Sequence, residues 1–130
     1  MDVRSLIPDT GPIALIDGAT AHQSTEIPVV ATQDHDLIRQ WAIRRRAEPA
    51  TGEATESGPA STNVNDDGPG IRFNFPGVGR FRPIEWDEWF RHFDSYALVF
   101  IYERDVTNRS LSSRYRMLPM ETLKRVADLR

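Results

Sequence analysis

Residues 83–102 read Pro83-Ile84-Glu85-Trp86-Asp87-Glu88-Trp89-Phe90-Arg91-His92-Phe93-Asp94-Ser95-Tyr96-Ala97-Leu98-Val99-Phe100-Ile101-Tyr102. Trp86, Trp89, Phe90 and Phe93 recur at i, i+3, i+4 and i+7, the spacing of one helix face. The period stops at Ser95, and residues 98–102 form an unbroken apolar run. That run is too short for a helix and fits a strand buried on both faces. Ile84 and Trp89 stand where a hydrophobic staple would place them if Glu85 is the cap, with Glu88 at the third helical position. Two of the three tryptophans lie in these twenty residues, so the core is expected to be organised here.

Upstream, Ile71-Arg72-Phe73-Asn74-Phe75 alternates strictly and reads as a strand closed by Pro76 and Gly77. Downstream, residues 105–112 read as a hairpin loop. Residues 113–118 then read as a strand with Tyr115 and Met117 on one face and Arg114 and Arg116 on the other. Pro119 opens a last helix whose expected buried stripe is Met120, Leu123, Val126 and Ala127. A further helix lies earlier in the chain, capped by Thr32 or Asp34, with an apolar stripe of Leu37, Ile38, Trp41 and Ala42. Its acids, Asp34 and Asp36, come first, and Arg44, Arg45 and Arg46 come last, an order that complements the helix dipole.

Residues 47–69 turn to Pro, Gly, Ala, Ser, Thr, Asn and Asp, with Val64 the only large aliphatic, and read as a flexible loop. Residues 1–31 read as an extended N-terminal arm with strand-like pieces at 13–16 and 27–30. The expected fold is α+β: residues 32–130 form a single domain with a small three-stranded, mostly antiparallel sheet. Helices at 34–46 and 85–95 and one at the carboxyl end pack on it, in the order α-β-α-β-β-α.

Three segments resemble a family of small uncharacterised bacterial proteins. They are His35-Asp36-Leu37-Ile38-Arg39-Gln40-Trp41-Ala42, Gly70-Ile71-Arg72-Phe73-Asn74-Phe75-Pro76-Gly77, and Ile84-Glu85-Trp86-Asp87-Glu88-Trp89-Phe90 with Phe93-Asp94. Members of that family read His-Asp-x-Ile-Arg-x-Trp-Ala, then Phe-Pro-Gly, then Trp-Asp-Glu-x-Phe, and some carry a glucan-branching label. The resemblance covers residues 31–118. Ser is usual in that family where Glu85 stands, and Arg-Gly-Gly where this chain has Arg45-Arg46-Ala47. The resemblance implies a fold and no particular chemistry, since a catalytic barrel of about 250 residues does not fit within 130 residues.

Composition narrows the function further. The absence of cysteine excludes a disulfide framework, thiol catalysis and cysteine-based zinc sites. No apolar run approaches the roughly 20 residues that span a bilayer. Residues 1–8 lack the basic start and apolar stretch of a signal peptide. A cytoplasmic protein with no membrane partner is the expectation.

The formal net charge is −3. Residues 1–69 carry five Arg against eleven acids, whereas residues 70–130 carry eleven basic residues against eight acids. In the basic half, Arg72, Arg80, Arg82, Arg114 and Arg116 form a candidate nucleic-acid-binding set. If the strands at 71–75 and 113–118 share a sheet, Arg72, Asn74, Arg114 and Arg116 line its polar face, which could track a phosphate backbone.

The remaining polar constellations read as structure. Consecutive residues on a helix diverge by about 100°, so Asp34-His35-Asp36 marks a helix start rather than a metal site. Glu88 and His92 are an i, i+4 surface pair. Asp87, Glu88 and Asp94 lack the opposed placement that glycoside chemistry demands. Neither a Gly-x-Ser-x-Gly elbow nor a P-loop is present.

The sequence therefore points to a non-catalytic interaction module binding a protein partner or a second copy of itself, without cofactor, metal or small-molecule substrate. Nucleic-acid binding through the Arg-rich face is the alternative, and a carbohydrate-active protein the third reading. If the aromatic helix is the core hub, Trp86→Ala or Phe90→Ala should cost about 3–5 kcal/mol in chemical denaturation. Parent-like stability in either variant would show that its side chain faces outward.

Overall fold

The structure, a computed structural model, describes residues 12–18, 29–51, 70–77, 81–105, 111–126 and 128–129. In chain order the elements are β1 (Pro12–Ile16), β2 (Val29–Thr32), α1 (His35–Arg44), β3 (Glu48–Thr51), β4 (Ile71–Asn74) and β5 (Arg82–Pro83). They continue with α2 (Trp86–Ser95), β6 (Leu98–Glu103), β7 (Tyr115–Pro119), α3 (Met120–Val126) and β8 (Asp128–Leu129). The class is α+β, as the sequence implied.

The strands form two sheets rather than one of three strands. The larger has the order β7-β6-β2-β1-β8, and the smaller the order β4-β3-β5. In the larger sheet β1 runs parallel to β2 and β8, while β6 is antiparallel to β2 and β7. The smaller sheet is antiparallel throughout.

The arm read at residues 1–31 supplies β1 and the start of β2, which lie inside the larger sheet, with β2 at its centre. Within the segment 47–69, residues 48–51 form β3, the middle strand of the smaller sheet. Residues 52–69 lie outside the described residues. Neither β2 nor β3 shows a pattern of two because both are buried almost throughout. Strand alternation is visible only where one face meets water.

The same principle explains β6. Leu98, Phe100 and Tyr102 enter the main core with Trp41, Phe73, Trp89 and Phe93, whereas Val99 and Ile101 enter a second cluster with Ile13, Ala31, Leu118 and Leu123. α1 and α2 therefore cover one face of the larger sheet, and Leu123 of α3 packs on the other. Of the stripe expected on the last helix, Leu123 is fully buried, Met120 is half-buried and Val126 is exposed. Ala127 lies outside the described residues.

Asp34 is the cap of α1. Its Oδ1 accepts from the backbone N–H of Asp36 at 2.9 Å and of Leu37 at 3.3 Å. Its Oδ2 accepts from Gly18 N–H at 2.7 Å, tying the end of β1 to the helix start. A Cβ at residue 18 would stand 3.1 Å from that oxygen, so glycine permits the approach. Thr32, the other candidate, accepts from the Asp34 N–H at 3.0 Å. In α2, Glu85 occupies the cap position but makes no side-chain cap bond.

α1 ends in a Schellman motif: Ala47 N–H donates to Ala42 O at 2.9 Å and Arg46 N–H to Ile43 O at 3.0 Å. Hence the helix stops at the Arg45-Arg46-Ala47 segment, before Pro49 is reached. The motif demands a left-handed residue, and Arg46 supplies it at φ 58°. Ala97, after α2, does the same at φ 51°. A side chain with a Cβ is strained there by about 1 kcal/mol. Arg46→Gly should raise the free energy of unfolding by up to about 1 kcal/mol, read from urea midpoints at unchanged slope. A lowered midpoint would contradict this account of the helix end.

Candidate interaction face

The helix that organises the core also reaches the surface. Trp89 and Phe93 are fully buried and Phe90 nearly so, but Trp86 at the start of α2 is only half-buried. Trp86 stacks on Phe90 (centroids 5.2 Å apart, planes 20°), and Phe90 stacks on His35 of α1 (4.0 Å, 12°). His35 Nε2 lies 2.8 Å from Asp94 Oδ1, which closes the column across the two helices. Arg39 places its guanidinium 5.7 Å from the Trp86 ring and 5.9 Å from the Phe90 ring. Being about equidistant from two stacked rings, it lies beside the stack and not on the outer face of Trp86.

Next to Trp86 is an open groove of about 270 Å³ lined by Glu48, Pro49, Pro83, Ile84, Glu85 and Trp86. Its floor is set by register: Ala50 pairs with Pro83, and Ile84 N–H donates to Pro49 O at 3.1 Å. Two prolines in its walls remove backbone donors. Two carboxylates stand on it. Glu48 accepts from Asn74 Nδ2 at 3.1 Å, and Glu85 has no polar partner among the described residues. The volume falls just short of the roughly 300–1,000 Å³ of small-molecule sites, which suits a few side chains of a larger partner.

A second concavity, of about 470 Å³, lies at the carboxyl ends of β1 and β2 and is lined by Leu15, Ile16, Asp17, Gln33 and Asp34. The polar groups there hold the fold: Asp34 caps α1, and Gln33 Nε2 donates to Leu98 O at 3.1 Å.

The arginine set expected on one sheet face is divided. Arg72 is on β4 in the smaller sheet and Arg116 on β7 in the larger. Arg72 is buried, with its guanidinium 5.5 Å from the Phe81 ring. Asn74, placed beside it in sequence, is also buried. Its amide bonds Phe81 through both N–H and C=O, at 3.0 Å each. Arg82 is exposed on β5, and Arg80 lies outside the described residues.

Arg114 forks onto Glu103, Nη2 to Oε2 at 2.7 Å and Nε to Oε1 at 3.2 Å, and Ser112 Oγ donates to Oε1 at 2.7 Å. The Arg114 bonds, then that of Ser112, hold the Glu103 carboxyl below its ordinary value. The same bonds raise the Arg114 guanidinium.

Sequence reasoning missed Arg45 as an interior residue. Placed at the helix end by its charge, it is buried, with its guanidinium 4.4 Å over the Trp41 ring. It donates from Nε to Ser112 O at 2.6 Å, from Nη1 to Trp41 O at 3.0 Å, and from Nη2 to Asp105 Oδ1. Arg44 holds the other oxygen of Asp105 at 2.6 Å. The sequence does not distinguish Arg45 from its neighbours, because its partners Asp105 and Ser112 lie sixty or more residues away. Glu88 and His92, paired by spacing, stand 3.8 Å apart.

Among the described residues no three His, Asp or Glu side chains converge as metal ligands, and no helix is long and apolar enough to cross a membrane. The chain matches no protein-family model, and comparison with curated proteins and with solved structures finds no similar chain.

The Glu103–Arg114 fork has a pH signature. Since the folded carboxyl titrates below its ordinary 4.5, its contribution is complete above that value and is lost as the pH falls through the lowered folded value. Glu103→Gln should be less stable than the parent near pH 7, and the gap should close in acid. Urea titrations across that range check it, and a gap independent of pH would rule out the ionised pair.

Proposed function

We propose that this chain is a non-catalytic interaction module that binds a protein partner through the face around Trp86. The observation that carries the reading is a large aromatic side chain left half-buried beside an open, proline-walled groove, while its helical neighbours Trp89, Phe90 and Phe93 are buried. Tryptophan in such a setting contributes much contact area at small entropic cost and recurs where binding energy is concentrated. The stack of Trp86 on Phe90 and His35 makes the surface rigid before any partner arrives. Less ordering is then required on association.

Pro83 at the outer edge of the smaller sheet blunts strand addition there, so a partner uses side-chain contacts. The nucleic-acid reading has less support. It relied on Arg72, Arg114 and Arg116 sharing a face, whereas Arg72 and Arg116 stand in different sheets, Arg72 is buried, and Arg114 precedes β7 and is forked onto Glu103.

A photo-crosslinking side chain placed at position 85 tests the reading without disturbing the core. In source-cell lysate it should form a discrete covalent adduct with another protein. The same group at Lys124, on α3 across the larger sheet, should form none. Equal adducts from both positions, or none from 85, would overturn the proposal.

A further inference from the structure

We infer that the Trp86 groove takes an extended, proline-containing, cationic segment of its partner, an inference that rests on the interaction reading above. Three features select that chemistry. Between Glu48 and Glu85 the lining is Pro49, Pro83, Ile84 and Trp86, and its two prolines have no backbone N–H to offer. A polyproline II segment, with no internal hydrogen bonds to satisfy and little conformational entropy to lose, is the peptide form that docks on such aromatic grooves.

The second feature is charge. Glu48 and Glu85 both line the groove, and among the described residues no basic side chain does. Glu85 is notable because it sits at the cap of α2 yet makes no cap bond. A cap residue that forgoes its hydrogen bond weakens the helix start relative to Ser or Asp, and here Glu85 lines the groove instead. Glu48 is oriented by Asn74 Nδ2, which leaves its second oxygen for a donor. Two carboxylates lining one groove recognise an Arg or Lys head, Arg best because its planar fork can meet them by paired hydrogen bonds.

Third, the neighbouring cations are turned elsewhere. Arg39 is stacked beside Trp86 and Phe90 and does not line the groove. Arg82, which precedes Pro83 on β5, is exposed and does not line the groove either. The groove's size matches this occupant. About 270 Å³ holds a prolyl ring and part of one long side chain, with the rest of the segment outside.

The test uses the full chain and a fluorescein-labelled peptide of three Pro-Pro-Arg repeats, read by anisotropy. Saturable binding is expected, weakened at least about tenfold by Glu85→Lys, by Gly in place of the peptide's Pro, and by Glu in place of its Arg. It should also weaken as salt rises from about 0.05 to about 0.5 M. Unfolding midpoints of Glu85→Lys near those of the parent would show that the loss lies in the groove. Binding that ignores Glu85, or that is as tight for the acidic peptide, overturns the inference. If no peptide binds while position 85 still crosslinks a protein, this inference falls and the interaction reading stands. If both fail, both fall.

Discussion

The buried indole N–H of Trp89 is paired across the fold, and that bond ties the two halves of the molecule together. The side chain is fully buried, and an unsatisfied N–H there would cost about 1–3 kcal/mol. The acceptor is the backbone carbonyl of Arg72 on β4, 3.0 Å away. The same ring stacks on Phe73 of β4 and on Phe93 of its own helix. The smaller sheet is thus positioned by a helix that packs on the larger one. A reciprocal bond, from Phe73 N–H to the Tyr115 hydroxyl at 3.2 Å, joins β4 to β7 in the larger sheet. Burial raises the titration of that hydroxyl and keeps it protonated. Trp41 of α1 fills the space between, against Phe73, Phe100 and Tyr115. The Trp86 groove inherits its position from this arrangement, since β3 and β5 are held where β4 is held.

A second constraint comes from charge inside the molecule. Arg45 satisfies its guanidinium with Trp41 O, Ser112 O and Asp105, and in doing so fastens the connection between β6 and β7 to the end of α1. Burying a cation is costly unless its donors are met, and the bonds of Arg45 place the loop and the helix end together. Arg114 and Glu103 repeat the device nearer the surface, on the same connection. Within the arginine-rich half, Arg72 is buried and Arg114 is held by Glu103, so these two serve the fold.

The elements most legible in the sequence were those with one face in water or a strong period. α2 and α1 announced themselves by aromatic and aliphatic stripes, and Ile38, Trp41, Ala42, Trp89, Phe90 and Phe93 are buried as the spacing requires. β6 was legible as a solid apolar run and β7 as an alternating one. β3 was hidden because Glu48-Pro49-Ala50-Thr51 carries no strand pattern, and its pairing depends on β4 and β5, each at least twenty residues further along the chain. β1 and β2 read as short apolar pieces whose place at the centre of the larger sheet depends on β6. The groove was illegible for the same reason: it joins residues 48–49 to residues 83–86, which only sheet register brings side by side.

The sequence by itself determined the local periods, a helix start at Thr32 or Asp34, the aromatic hub at residues 86–93 and the α+β class, because these follow from nearest-neighbour geometry and burial. Tertiary structure decided which residues met across distance. Strand partners, the division into two sheets and the burial of Arg45, Arg72 and Asn74 depend on hydrogen-bond partners far along the chain. It also decided the role of Trp86. Spacing assigns that ring to the same face as Trp89 and Phe90, but at the first turn of α2 the smaller sheet no longer covers it fully, and it opens onto a groove. Helical period reports which side of a helix a residue is on; how far the neighbouring sheet extends over that side is a property of packing alone.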